Sequence, residues 1–125
     1  MATYKLVYKN GITPQEYLTE NSRWYLDSDI GKNLSGIASV TYSSRTYQKD
    51  YSITTVTVSL GTGKDFLYLE NQSNSLDDIL LSLDGGVNYH YLLSSGESFA
   101  SKLDSSADIY VKSIGKSDIE YFVVT

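Results

Sequence analysis

His90 is the only histidine in the chain and stands between Tyr89 and Tyr91. A Ser-His-Asp hydrolase would need that imidazole held between a serine and an acid. No Gly-x-Ser-x-Gly elbow occurs in the sequence, so Ser82 or another serine would have to be brought to it by the fold. His90 therefore reads as an exposed strand histidine. Gly61-Thr62-Gly63-Lys64 resembles the end of a phosphate-binding loop, but Asp65 follows where a serine or threonine must hold magnesium. A carboxylate there repels phosphate, and the segment reads as a turn.

Oxygen ligands at alternate positions suit calcium, and Asp27-Ser28-Asp29-Ile30-Gly31-Lys32-Asn33 begins in that way. Gly31 replaces the third ligand and Ala38 occupies the closing glutamate position. Asp77-Asp78 with Asp84 or Asp104 would form a weaker cation site across loops. Asn33-Leu34-Ser35 and Asn71-Gln72-Ser73 match the glycosylation pattern, which carries no weight without a secretion signal. A glycosidase pair is defined in space and not by spacing, so 15 acidic residues leave that chemistry open. Nothing in the sequence assigns a catalytic, cofactor-binding or metal-binding residue, and the expectation is a protein that is not an enzyme.

The elements that would position these groups are short and mostly extended. Tyr4, Leu6 and Tyr8 alternate with Lys5, Val7 and Lys9, a first strand ending at Asn10-Gly11. Thr13, Pro14 and Glu16 have the spacing of a capping box with proline at the first helical position, which predicts one short helix from Pro14 to about Glu20. Trp24, Tyr25 and Leu26 read as buried, and the stretch on to Ser39 reads mainly as loop. Ala38 to Ser43 and Ser52 to Leu60 read as strands, the second with Val56, Val58 and Leu60 inward.

Three hairpins are expected. Gly61 to Asp65 would turn Leu60 onto Phe66. A loop of Asp84-Gly85-Gly86 would set Leu81 opposite Tyr89 and Ile79 opposite Tyr91, because that register keeps one face apolar. A loop of Ile114 to Asp118 would set Val111 opposite Tyr121, Tyr110 opposite Phe122 and Lys112 opposite Glu120. The fold class follows: one all-β domain over residues 1–125, a two-sheet antiparallel β-sandwich, jelly-roll or Ig-like, with one short N-terminal helix.

Composition agrees with that class and narrows the chemistry. The chain has 125 residues, no cysteine and one proline, which excludes thiol catalysis, cysteine-ligated metal and disulfides. Its net charge of -5 argues against a phosphate backbone as the main partner. Residues 1–62 hold five acids and six bases, while 63–125 hold ten acids and four bases. The first part is thus the better one to meet an acidic partner. No apolar run approaches a membrane span, and Met1 to Val7 lack the core of a signal peptide, so the chain is expected to be made and kept in a cytoplasm.

Tyrosine supplies 12 residues against three phenylalanines and one tryptophan. It offers large contact area with a polar tip, which suits surfaces that are wet until a partner arrives. Tyr4, Tyr8, Tyr68, Tyr89, Tyr91, Tyr110 and Tyr121 fall on expected strands and read as core. Tyr42, Tyr47 and Tyr51 cluster with Arg45 and Lys49 around a polar loop and read as a contact surface. Tyr110 and Phe122, on the outer side of the last hairpin, would be covered by another element or another subunit.

From Ile79 onward the chain reads Ile79-Leu80-Leu81-Ser82-Leu83-Asp84-Gly85-Gly86, then Tyr89, Leu92-Leu93, Gly96-Glu97 and Ile109-Tyr110-Val111-Lys112-Ser113 before a terminal strand. This pattern resembles small β-sandwich virion structural proteins of tailed bacteriophages. The resemblance implies a non-enzymatic component (capsid decoration, head fibre, connector or tail part) that works through protein–protein contacts. It also implies partners that are other virion proteins or copies of itself, a homo-oligomer in the particle, no cofactor, no nucleic acid and no membrane. Two other readings of the residues stand beside it: a carbohydrate-binding module stacking Trp24 and exposed tyrosines on sugar rings, and a small hydrolase using His90 or paired carboxylates.

Overall fold

The computed structural model describes residues 3–10, 15–18, 23–26 and 36–125, with side chains at 3–6 and 39–125. The chain divides into two compact units, Lys5–Thr41 and Met1–Tyr4 with Tyr42–Thr125. In the former, β1 (Tyr4–Asn10) pairs with β4 (Gly36–Tyr42) and β2 (Gln15–Leu18) pairs with β3 (Arg23–Leu26). The expected helix over 14–20 is corrected here: residues 15–18 are extended, with Tyr17 opposite Trp24 and Gln15 opposite Leu26. Thr13, Pro14 and Glu16 favour only a helix start, and two turns cannot offset nucleation without tertiary support. There is no helix among the described residues, hence none long and apolar enough to cross a membrane. The candidate calcium loop at 27–33 and the Asn33 sequon lie outside the described residues, as does the Trp24 side chain.

The other unit holds eight strands: β5 (Arg45–Ile53), β6 (Val58–Thr62), β7 (Phe66–Asn71), β8 (Ile79–Ser82), β9 (Tyr91–Leu93), β10 (Ser98–Lys102), β11 (Asp108–Ser113) and β12 (Ser117–Val124). They form two four-stranded antiparallel sheets, β10-β7-β12-β5 and β6-β11-β8-β9. The pairing is nested: first with last, second with seventh, third with sixth, fourth with fifth. Consecutive strands therefore mostly lie in different sheets. Leu67, Leu69, Ile119 and Val123 from one sheet and Ile79, Leu81, Ile109 and Val111 from the other belong to one buried cluster. β12 shows the underlying period of two, with Ile119, Tyr121 and Val123 buried while Asp118, Glu120 and Phe122 stand outward.

Nesting overturns two of the three expected hairpins. β6 and β7 occupy different sheets, so Leu60 does not face Phe66. β11 and β12 also part, so Tyr110 lies opposite Ser82 while Phe122 lies opposite Tyr68, and Glu120 meets Glu70 rather than Lys112. A Gly-rich turn looks the same whether it closes a ladder or arches between sheets. The expected strand 52–60 is likewise split between Ile53 and Val58, and Val56 is 70% exposed, because the chain leaves one sheet for the other there. The middle hairpin survives with its faces right and its register two residues longer: Leu81 pairs with Tyr91 and Ile79 with Leu93. The longer loop is held by Asp84, whose carboxylate accepts the Asn88 backbone N–H at 2.9 Å and the Ser82 hydroxyl at 2.7 Å.

Candidate contact face

On the outer side of the β10-β7-β12-β5 sheet, Phe122 lies across from Tyr68 of β7 and from Tyr47 of β5. Tyr42 packs its edge against Phe122 with centroids 6.1 Å apart, and Tyr4 stacks on Tyr42 at 5.6 Å. These contacts make a continuous aromatic strip along one end of the face. One step along the strands, Glu120 and Glu70 face each other. Like charges placed so are unfavourable, and each carboxylate takes a phenol proton donor: Tyr47 Oη donates to Glu120 at 2.5 Å, and Tyr68 Oη to Glu70 at 2.7 Å. The bond to Glu120 raises the pKa of Tyr47; burial, then Glu70, raises that of Tyr68. Both phenols consequently remain protonated donors at neutral pH.

Of the residues singled out in the sequence, Tyr42, Arg45, Tyr47 and Phe122 come together on or beside this face. Tyr42 and Arg45 line a cleft of about 200 Å3 with Tyr4, Ser43 and Ser44. Arg45 is exposed and has no ion pair among the described residues. Lys49 is exposed at a β-bulge, where it and Asp50 share Glu120 as their opposite. Asp50 adopts φ 56°, the left-handed region, and its N–H donates to the Gln72 side chain at 2.8 Å. The bulge has a large consequence. Tyr47 and Tyr51 are four residues apart and would share a face in a regular strand, but the extra residue reverses the alternation.

Tyr51 thus turns inward, edge-on to Tyr121 at 6.1 Å and packed against the core. Tyr110 is on the other sheet, beneath the loop at Gly86, where an added Cβ would come within 3.1 Å of its ring. Tyr91, expected in the core, is 43% exposed, and Tyr4 and Tyr68, expected there too, lie on the outer face of the β10-β7-β12-β5 sheet with Glu70 and Glu120. Their signal was present as alternate positions, Tyr68 with Glu70 and Glu120 with Phe122, but it acquires meaning only when β7 and β12 are neighbours.

The remaining chemical candidates separate. His90 is exposed and lines a shallow cleft of about 210 Å3 with Leu83, Asp84, Asn88 and Tyr91. Ser82 gives its hydroxyl proton to Asp84 rather than to an imidazole. The Asn88 backbone, the Ser82 hydroxyl and the Asn88 amide pull the Asp84 pKa down to about 2. Asp77 accepts the Lys116 N–H from the loop between β11 and β12, and Asp104 accepts the Ser106 N–H within its own turn. No group of three metal-ligating side chains occurs among the described residues. In the glycine turn, Thr62 Oγ1 donates to Asp108 at 3.1 Å, and Lys64 folds over Gly61.

No family model matches the chain, and no curated protein matches it. Among solved structures, a chain from Bacillus endospore appendages, described as a novel family of disulfide-linked pili, aligns with 66% of this chain and 92% of its own length, at a TM-score of 0.36 and 11% identity.

Proposed function

We propose that this chain is a non-enzymatic structural protein whose eight-stranded unit is a jelly-roll sandwich that assembles through protein–protein contacts, with copies of itself and with other components of one particle. The observation that carries this reading is the aromatic strip of Tyr4, Tyr42, Phe122 and Tyr47, bordered by the exposed guanidinium of Arg45. Tyrosine and arginine are the residue types that anchor interfaces. A face contact is favoured over strand addition. β5 is the long sheet edge, yet it carries Arg45, Lys49 and the left-handed Asp50 bulge, the features that deter edge-to-edge pairing. The resemblance of the carboxy-terminal pattern to phage proteins is what supports a tailed-bacteriophage virion as that particle, with the protein made in the host cytoplasm and incorporated as a homo-oligomer.

Sedimentation velocity of wild type and Tyr47→Ala, beside thermal unfolding of both, tests the contact role: association should weaken while the melting curve barely moves. Mass spectrometry of purified particles tests the location. A protein that stays monomeric at every concentration and is missing from particles overturns the reading. The Tyr47–Glu120 and Tyr68–Glu70 pairs, polar acceptors beside aromatic rings, favour carbohydrate binding as the second reading. A glycan array without binding removes it.

A further inference from the structure

The loops between β5 and β6, β7 and β8, β9 and β10, and β11 and β12 meet at one end of the eight-stranded unit. They are tied together: Ser113 N–H to Thr54 O at 2.8 Å, Ile114 N–H to Asp78 O at 3.0 Å, Ser95 Oγ to Ser75 O at 2.5 Å, and Lys116 N–H to the Asp77 carboxylate at 2.8 Å. A tip so braced would be expected to cover its apolar side chains. Instead Leu76 is 88% exposed, with Val56 and Ile114 also in solvent. The side chain of Asp78, two residues after Leu76, accepts no hydrogen bond among the described residues.

The cleft of Tyr4, Tyr42, Ser43, Ser44 and Arg45 lies at the other end. β5 begins at Arg45, paired with Val124, and finishes at Ile53, paired with Ser117 beside the tip. Eight steps of about 3.3 Å put about 26 Å between the two ends. The cleft measures about 200 Å3, larger than an engineered cavity of about 150 Å3 that admits benzene. It has aromatic walls and a cation without an ion pair among the described residues; the tip has one protruding aliphatic side chain and, close by, a carboxylate likewise without a partner among them.

We propose that these two ends bind each other between copies: Leu76 of one chain packs into the cleft of the next, against the stacked pair of Tyr4 and Tyr42, and Asp78 pairs with Arg45. The inference rests on the structural-protein reading and specifies its partner as a second copy in head-to-tail arrangement. Because the two patches are different and lie at opposite ends, the contact does not close on itself as a two-fold dimer. It propagates into a linear filament, or into a ring if the rotation per subunit closes. With so few anchors each contact has micromolar or weaker affinity, and the assembly grows with concentration.

Sedimentation velocity over a concentration series provides the test, using Leu76→Asp, which disables the tip, and Arg45→Glu, which disables the cleft. Both sites are exposed, and circular dichroism melts check that each variant folds. Wild type should grow with concentration, without a fixed end point for a filament or up to one closed size for a ring, and each variant should weaken association about thirtyfold. An equimolar mixture of the two variants should form a species of two chains and nothing larger, since one intact tip meets one intact cleft. The double variant Arg45→Asp with Asp78→Arg should recover growth. If both variants associate like wild type, the head-to-tail contact is wrong while assembly through another face stands. If wild type stays monomeric throughout, self-assembly itself fails.

Discussion

Asn71→Asp is the most demanding test of the packing between the two sheets. Asn71 ends β7 and is fully buried, with Nδ2 donating to Asp77 O at 3.0 Å and to Leu93 O at 3.0 Å. Its Oδ1 is buried and accepts no hydrogen bond among the described residues. Both neighbours of Nδ2 are acceptors, so the amide orientation is settled by the network. Aspartate has the same shape but no donor when ionised. Protonated, it can give one O–H to one carbonyl, losing one bond worth about 1 kcal/mol.

Burial without a cation disfavours the charged form and raises a carboxyl pKa by about 3 units, which adds about 4 kcal/mol at pH 7. The total is about 5 kcal/mol, comparable with the whole stability of many domains at about 5–15 kcal/mol. The sign follows from linkage. A folded pKa raised above the unfolded value of about 3.9 leaves the extra penalty absent below that pH and growing by about 1.4 kcal/mol per unit until the folded pKa is passed. Urea unfolding followed by circular dichroism at about pH 3.5 and pH 7, each against wild type, reads the difference directly. Asn71→Leu serves as the uncharged control and should lose about 2 kcal/mol at both pH values. An aspartate variant that tracks wild type across this range, or loses under about 1 kcal/mol at pH 7, refutes the buried-donor account.

Tyr51→Ala should cost about 2–3 kcal/mol because the ring packs on Tyr121 and the core, whereas Tyr47→Ala should cost under about 1 kcal/mol; equal losses in thermal melts would contradict the bulge-driven reversal of faces. The Asp84 pKa is depressed to about 2 from 3.8. It therefore stabilises its loop above the unfolded pKa, and that contribution disappears as pH falls through about 2; hydrogen exchange at Gly86 and Asn88 should speed up in Asp84→Ala and lose this acid dependence. Gly115→Ala places a Cβ against the Asp77 carboxylate and should lose about 1–2 kcal/mol. In a double-mutant cycle Asp77→Ala should abolish most of that extra loss, and additive effects would rule out the clash.

Much of the β character was legible in local pattern. Ile119, Tyr121 and Val123 alternate with Asp118, Glu120 and Phe122, and that alternation alone separates the buried face of β12 from its outer one. The same parity rule kept Leu81 on the side of Tyr91 even though the loop proved two residues longer. The candidate face was half legible: Tyr42, Arg45, Tyr47 and Phe122 were singled out as contact residues, but Phe122 was matched with Tyr110, which belongs to the other sheet. The capping signals around Pro14 described a helix start without saying whether anything would pack on a helix there.

Alternation with period two says which residues share a face, since it depends only on neighbouring backbone geometry. It does not say which strand lies alongside, since the apolar sides of β6, β7, β11 and β12 are interchangeable as hydrophobic surfaces. That choice is made when all eight strands must bury their inner faces in one cluster at once, and nesting was the outcome. The bulge at Lys49 and Asp50 shows the same division within one strand. Residues 45–53 determine that tyrosines recur at 47 and 51, but the pairing of Ile119 with Tyr51 and Phe122 with Tyr47 on β12 turns one ring into the core and leaves the other on the surface.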